Sequence, residues 1–123
     1  MQQKSTILII EDDQVAAKAL VQFCRELGYR PLVAYDGVTG LALAAKKRPR
    51  LILSDSGVPG LDGFELARRV RANQQLDKTA VVALTGQIPP TPAANQIAFD
   101  DYLVKPITSD NVQHVINKYC SLS

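Results

Sequence analysis

Short apolar runs alternate along this chain with segments of helical period. The first run, Ile7-Leu8-Ile9-Ile10, is continuous, as expected of a strand buried on both faces. Val15, Ala16, Ala19, Leu20, Phe23, Cys24 and Leu27 then follow at the spacing of one helix face, with Gly28 placed to cap it. Leu32-Val33-Ala34 is a weaker strand. Pro31 assigns it to a sheet edge, because proline cannot donate to a ladder. Asp36 is placed to cap a second helix with Val38, Leu41, Ala42 and Ala45 inward, and Lys46, Lys47 and Arg48 suit the negative end of its dipole. Leu51-Ile52-Leu53 is the third strand. Asp62 caps the next helix; Glu65 makes this a variant capping box, and Leu66, Ala67 and Val70 form the inner face. Residues 80–84 and 102–104 are the fourth and fifth strands. Thr108 caps a last helix with Val112, Val115, Ile116 and Tyr119 inward. Between strands four and five, Pro89, Pro90 and Pro92 exclude a helix before position 91. Thr91 as N-cap and Pro92 at the first helical position allow a short fourth helix of about two turns, reaching about Phe99.

Strands alternating with helices specify an α/β fold with a parallel, doubly wound sheet of five strands and five helices. The chain of 123 residues is enough for a single domain over 1–123, with loose tails at 1–5 and 121–123. Hydrophobic residues at 46% and charged ones at 21% exclude intrinsic disorder. A net charge of +2 is too weak to argue direct nucleic-acid binding. No apolar stretch is long enough to contact a membrane by spanning it, and the first five residues lack the apolar core of a signal peptide. Two cysteines are too few for a disulfide scaffold. The chain reads as a cytoplasmic domain.

The polar residues change the picture. Strand one ends in Glu11-Asp12-Asp13, strand three at Asp55, strand four at Thr85 and strand five at Lys105. In an open parallel sheet, ligands bind at the carboxyl ends of strands where the strand order reverses. With order 2-1-3-4-5 that point lies between strands one and three, so the acidic cluster and Asp55 become neighbours flanked by Thr85 and Lys105. Each residue alone has a plainer explanation: a helix cap at Asp13, a turn at Asp55 before Gly57 and Pro59, a surface charge at Lys105. Their convergence on four strand ends is what calls for chemistry. Packed carboxylates repel unless a cation sits among them, and an all-oxygen, partly hydrated site selects Mg²⁺. Glu11, Asp12 and Asp55 carry −3, Lys105 brings this to −2, and one Mg²⁺ neutralises the rest. Such a site would accept a phosphoryl group on Asp55 as a carboxylate nucleophile, with Mg²⁺, Lys105 and the Thr85 hydroxyl meeting the transferring oxygens.

Four strings carry a family resemblance across residues 6 to 120. They are Ile7-Leu8-Ile9-Ile10-Glu11-Asp12-Asp13, Leu53-Ser54-Asp55-Ser56-Gly57-Val58-Pro59-Gly60-Leu61-Asp62-Gly63, Leu84-Thr85-Gly86, and Asp101-Tyr102-Leu103-Val104-Lys105-Pro106. In this order and spacing the chain resembles a response-regulator receiver domain of two-component signal transduction, either a stand-alone regulator or the receiver of a hybrid sensor kinase. The resemblance implies a flavodoxin-like fold, Asp55 as phospho-acceptor, and Mg²⁺ held by Asp12, by Glu11 through water, by Asp55 and by the Gly57 carbonyl. It implies that Lys105 contacts the phosphoryl group, that the Lys105-Pro106 bond is cis, and that Thr85 and Tyr102 form a switch pair. The phosphodonor it implies is a phosphohistidine on a sensor histidine kinase or histidine phosphotransfer protein. The chain departs from the family around the fourth helix. Relatives usually have a longer helix and a Gly-Ala pair before the two aspartates, where this chain has prolines and Ala98-Phe99. No charge falls between Thr91 and Phe99, so a monomer is expected rather than a dimer bridged there.

Two rivals fit less well. A phosphatase of the haloacid-dehalogenase type needs a second acid two residues after the nucleophile, where this chain has Gly57. A pseudo-receiver acting as a phosphorylation-independent interaction module would have lost the acceptor or the acids, and all are kept. His114 falls off the apolar face of the last helix and reads as exposed. Cys24 and Cys120 lie near the ends of helices that share a sheet face, and an intracellular disulfide between them is not expected.

Overall fold

The computed structural model describes residues 5–86 and 99–120. Each apolar run becomes a strand: β1 (Thr6–Ile10), β2 (Arg30–Ala34), β3 (Leu51–Asp55), β4 (Ala80–Thr85) and β5 (Asp101–Val104). Four α-helices are described, α1 (Gln14–Glu26), α2 (Gly37–Lys47), α3 (Gly63–Ala72) and α4 (Ser109–Cys120), with a 3₁₀ turn at Gln74–Leu76. The expected short fourth helix, and almost all of the expected tails, lie outside the described residues. All strands are parallel, in the order β2-β1-β3-β4-β5, with Pro31 on the edge strand as its missing donor requires. No described helix is long and apolar enough to cross a membrane.

Period-2 alternation splits the core into two layers. Ile7, Ile9, Leu51, Leu53, Val82 and Leu84 face α1 and α4, whose Leu20, Cys24, Val112, Val115 and Ile116 cover them. Leu8, Ile10, Ile52, Val81 and Ala83 face the other way, against Ala44 of α2 and Leu66, Ala67 and Val70 of α3. Both layers are buried, so β1 has to be apolar from Ile7 to Ile10.

The helix ends follow their local chemistry. Asp13, Asp36 and Asp62 each accept a first-turn amide, from Val15, Thr39 and Phe64. Thr108 and Asn111 cap reciprocally, each side chain accepting the other's amide at 3.1 Å. Gly28 at φ 88° closes α1: its amide donates to Arg25 and that of Tyr29 to Cys24. That is the paired-bond helix ending which needs a left-handed residue.

Three expectations are corrected. In α1 the buried stripe is Ala17, Leu20 and Cys24, whereas Ala19 is exposed and Val15 is 78% exposed. Asp13 starts the helix so early that Val15 falls in a first turn beyond the end of β1, where no layer covers it. In α2 the buried stripe is Gly37, Gly40 and Ala44, with Val38, Ala42 and Ala45 outward. A Cβ on Gly40 would stand 2.5 Å from Ile10 Cδ1, and one on Gly37 would stand 2.6 Å from Leu61 Cβ. Close approach, not hydrophobicity, selects that face, and glycine carries no apolar signal to read. In α3, Glu65 turns forward to Arg68 and Arg69 rather than back to the Asp62 amide, and Asp62 caps Phe64, so a plain N-cap forms in place of the capping box.

Candidate functional site

The strand ends are held by ladder bonds that run past the strands themselves. The Glu11 amide donates to the Ala34 carbonyl at 3.0 Å, that of Ser56 to Leu84 at 3.1 Å, and that of Lys105 to Thr85 at 2.7 Å. The alternation of the core therefore continues into the polar residues. Glu11 follows Ile7 and Ile9, Asp55 follows Leu51 and Leu53, and Lys105 follows Leu103, all on the face covered by α1 and α4. Thr85 follows Ala83 onto the opposite face. Tyr102 pairs with Ala83 and shares that second face.

Carboxylate oxygens of Glu11, Asp12 and Asp55 lie within 4.8 Å of one another. Glu11 is only 1% exposed and Asp55 8%, whereas Asp12 is exposed. Lys105 Nζ donates to Asp55 Oδ1 at 2.9 Å and stands 3.7 Å from Glu11 Oε1. Glu11 Oε2 accepts the Asp13 amide at 3.1 Å, which ties the cluster to the start of α1. Burial pushes the Glu11 carboxyl above its usual range, and Asp55 pushes it the same way, against the opposing Asp13 amide and Lys105. Desolvation pulls the Lys105 ammonium down, but the bond and charge of Asp55, with Glu11 and Asp12, outweigh it and hold the group above its usual range. One ammonium cannot neutralise three carboxylates. A buried, strained Glu11 facing two more acids is what an oxygen-liganded divalent cation relieves, so the residues fit Mg²⁺.

The other expected residues fall around this cluster. Gly57 lies two residues past Asp55 in the turn toward α3, and Thr85 ends β4 beside it. The Lys105-Pro106 peptide is cis, as the resemblance implies. Tyr102 is half-buried; its hydroxyl is sealed from solvent and has no hydrogen-bond partner among the described residues. A pocket of about 270 Å³ beside Glu11 and Lys105, walled by Ala16, Leu20, Phe23, Leu84 and Ile107, is not announced by the sequence. Its walls come from α1, β4 and the β5–α4 loop, and no linear signal joins them. His114 is exposed, as its helical position implies, and Cys24 and Cys120 are buried free thiols.

Comparison with known proteins agrees with this geometry. Residues 7–117 match the family described as the response regulator receiver domain. The chain is 38% identical over 102 residues to the transcriptional regulatory protein AfsQ1 of Streptomyces coelicolor, covering 83% of this chain and 45% of that one. It therefore spans less than half of that relative. It is 26% identical over 117 residues to sporulation initiation phosphotransferase F of Bacillus subtilis, covering 94% of each chain. Among solved structures it resembles the receiver domain of the sensor histidine kinase PA1611 of Pseudomonas aeruginosa, described with a magnesium ion in its active-site cleft. That match has a TM-score of 0.85 and 30% identity, over 94% of this chain and 97% of the other.

Proposed function

The chain belongs to the response-regulator receiver family of two-component signal transduction, and from that premise we propose that it is a phosphorylation-dependent switch with Asp55 as acceptor. The observation that carries the reading is the Asp55 carboxylate, nearly buried, paired with Lys105 at 2.9 Å and clustered with Glu11 and Asp12. Glu11, Asp12, Asp55 and the Gly57 carbonyl would hold Mg²⁺, which when bound would offset the negative charge of the incoming phosphoryl oxygens.

The chain's own residues do the rest. An Asp55 oxygen attacks phosphorus; the P–N bond of a phosphohistidine breaks and its electron pair stays on the imidazole nitrogen. Lys105 is fixed at the carboxylate before the reaction, so its charge needs little reorganisation to meet the phosphoryl oxygens. Thr85, on the neighbouring strand end, supplies a hydroxyl, and Tyr102 on the same sheet face responds to its movement. The donor would be a sensor histidine kinase or a histidine phosphotransfer protein. Val15, Tyr35, Val38, Phe64 and Val104, the exposed large hydrophobics among the described residues, all sit at the carboxyl end of the sheet. Five apolar side chains around one polar site suit a docking face for such a partner.

Incubation with a small phosphodonor and Mg²⁺, followed by mass spectrometry, tests the acceptor. One phosphoryl group is expected on the wild type and none on Asp55→Asn. Equal labelling of the variant would refute the assignment, and failure to bind Mg²⁺ in a titration would favour a phosphorylation-independent module.

A further inference from the structure

Three aromatic rings form a continuous run on the α3 face of the sheet. Tyr102 of β5 and Phe99 have ring centroids 5.6 Å apart, and Phe99 and Phe64 have theirs 5.4 Å apart, both pairs tilted at 59°. These are favourable edge-to-face separations. Phe99 in the middle is 7% exposed, whereas Phe64, in the first turn of α3, is 42% exposed. The tip of the Phe99 ring also stands 3.9 Å from where a Cβ on Gly63 would lie, so it meets the start of α3 at two successive residues. At one end of the run is a buried hydroxyl without a partner among the described residues. A buried hydroxyl left unmet is costly, which biases Tyr102 toward any arrangement that satisfies it. At the other end is an apolar surface beside the loop that follows Asp55.

We propose that Phe99 is a positioning residue that couples Tyr102 to Phe64, so that the state of the site is displayed on the exposed first turn of α3. Phe99 occupies a place where the family usually has alanine, and an alanine could not bridge the two rings. Phe99 is buried between the two rings at contact separations, so a movement of the Tyr102 ring changes what Phe99, and through it Phe64, packs against. The display half of this inference rests on Asp55 being the acceptor; the coupling half rests on the ring geometry alone.

Two measurements on the whole chain separate these halves. The first is a double-mutant cycle of Phe64→Ala and Tyr102→Leu, read by urea unfolding with Phe99 present and in Phe99→Leu. The expected coupling is roughly two- to threefold in the unfolding constant with Phe99 and none with leucine. Absent coupling, or equal coupling in both backgrounds, overturns the proposal. Phe99→Met serves in the same cycle if the leucine variant does not fold. The second follows ring signals of Phe64 and amide signals of Ser56 and Gly57 by NMR on adding beryllofluoride with Mg²⁺. Both sets should shift in the wild type, and only the amides in Phe99→Leu. Amide shifts with a silent Phe64 in the wild type would defeat the display while leaving Asp55 as acceptor. Silent amides would remove the acceptor reading and the display together, leaving the cycle to judge the coupling.

Discussion

Lys105 and Glu11 both contact Asp55's surroundings, but their charges act in opposite directions on a cation. Lys105→Ala removes the ammonium 2.9 Å from Asp55, so Mg²⁺ affinity should hold or rise while the response to beryllofluoride is lost. Titration calorimetry and amide shifts read the two effects separately, and a normal response in the variant would end the role given to Lys105. Glu11→Gln should weaken Mg²⁺ by about 10- to 100-fold. The amide oxygen can still accept from Asp13, so the start of α1 is kept and the loss reports the charge. Cys24 and Cys120 make a different prediction, because both are buried free thiols. Burial, with Cys120 adding to it, pushes the Cys24 thiol from its ordinary 9.0 up to about 12, and burial pushes Cys120 up to about 11. The native state thus keeps its thiol protons where the unfolded chain has lost them. Stability from this source is complete below pH 9 and falls as pH rises toward 12. Urea midpoints measured across that window should fall less steeply in Cys24→Ala/Cys120→Ala, and alkylation of the wild type at neutral pH should require unfolding.

At the scale of elements, α2 is seated by close glycine contacts as well as by Ala44. The Gly37 amide donates to the Pro59 carbonyl at 3.0 Å, and a Cβ there would meet Leu61 Cβ at 2.6 Å and its carbonyl oxygen at 2.7 Å. The obstacle includes backbone, so Gly37→Ala cannot be absorbed by a rotamer change. Despite alanine's better helix propensity, about 1 kcal/mol, the substitution should destabilise the fold by about 1–3 kcal/mol. It should also weaken Mg²⁺ binding, because the displaced loop is the one that carries Gly57. An unchanged urea midpoint together with unchanged Mg²⁺ affinity would show that α2 is not seated by this contact.

Among the described residues of the whole molecule, the carboxyl end of the sheet is chemically distinct. The buried acids, the paired lysine and the exposed apolar side chains all gather there. That arrangement favours a partner approaching Asp55 over self-association. The stretch from Thr91 to Phe99 has no charge to carry across a symmetric interface. Sedimentation is expected to give a monomer with and without Mg²⁺ and beryllofluoride. A mimic-dependent dimer, abolished by substitutions within residues 92–99, would reverse this.

Strand order, the acidic cluster, the three aspartate caps and the inner faces of α3 and α4 were all legible in the sequence. The caps and inner faces depend on interactions local in the chain or on a period that burial imposes, whereas the strand order and the acidic cluster were legible only through the fold that the motifs' resemblance implies. The phases of α1 and α2 were not legible. Val15 is apolar yet overhangs the sheet, and Gly37 and Gly40 are buried because Leu61 and Ile10 press against them. Contact between residues distant in the chain decided both, and no property of the residues taken singly announces it. The same holds for the ring run from Tyr102 to Phe64. The sequence showed Phe99 as a departure from the family pattern, but only the packing of the segment before β5 against the start of α3 placed it between two other aromatics. Local chemistry thus determined which groups stand at each strand end, and tertiary packing decided which of them touch.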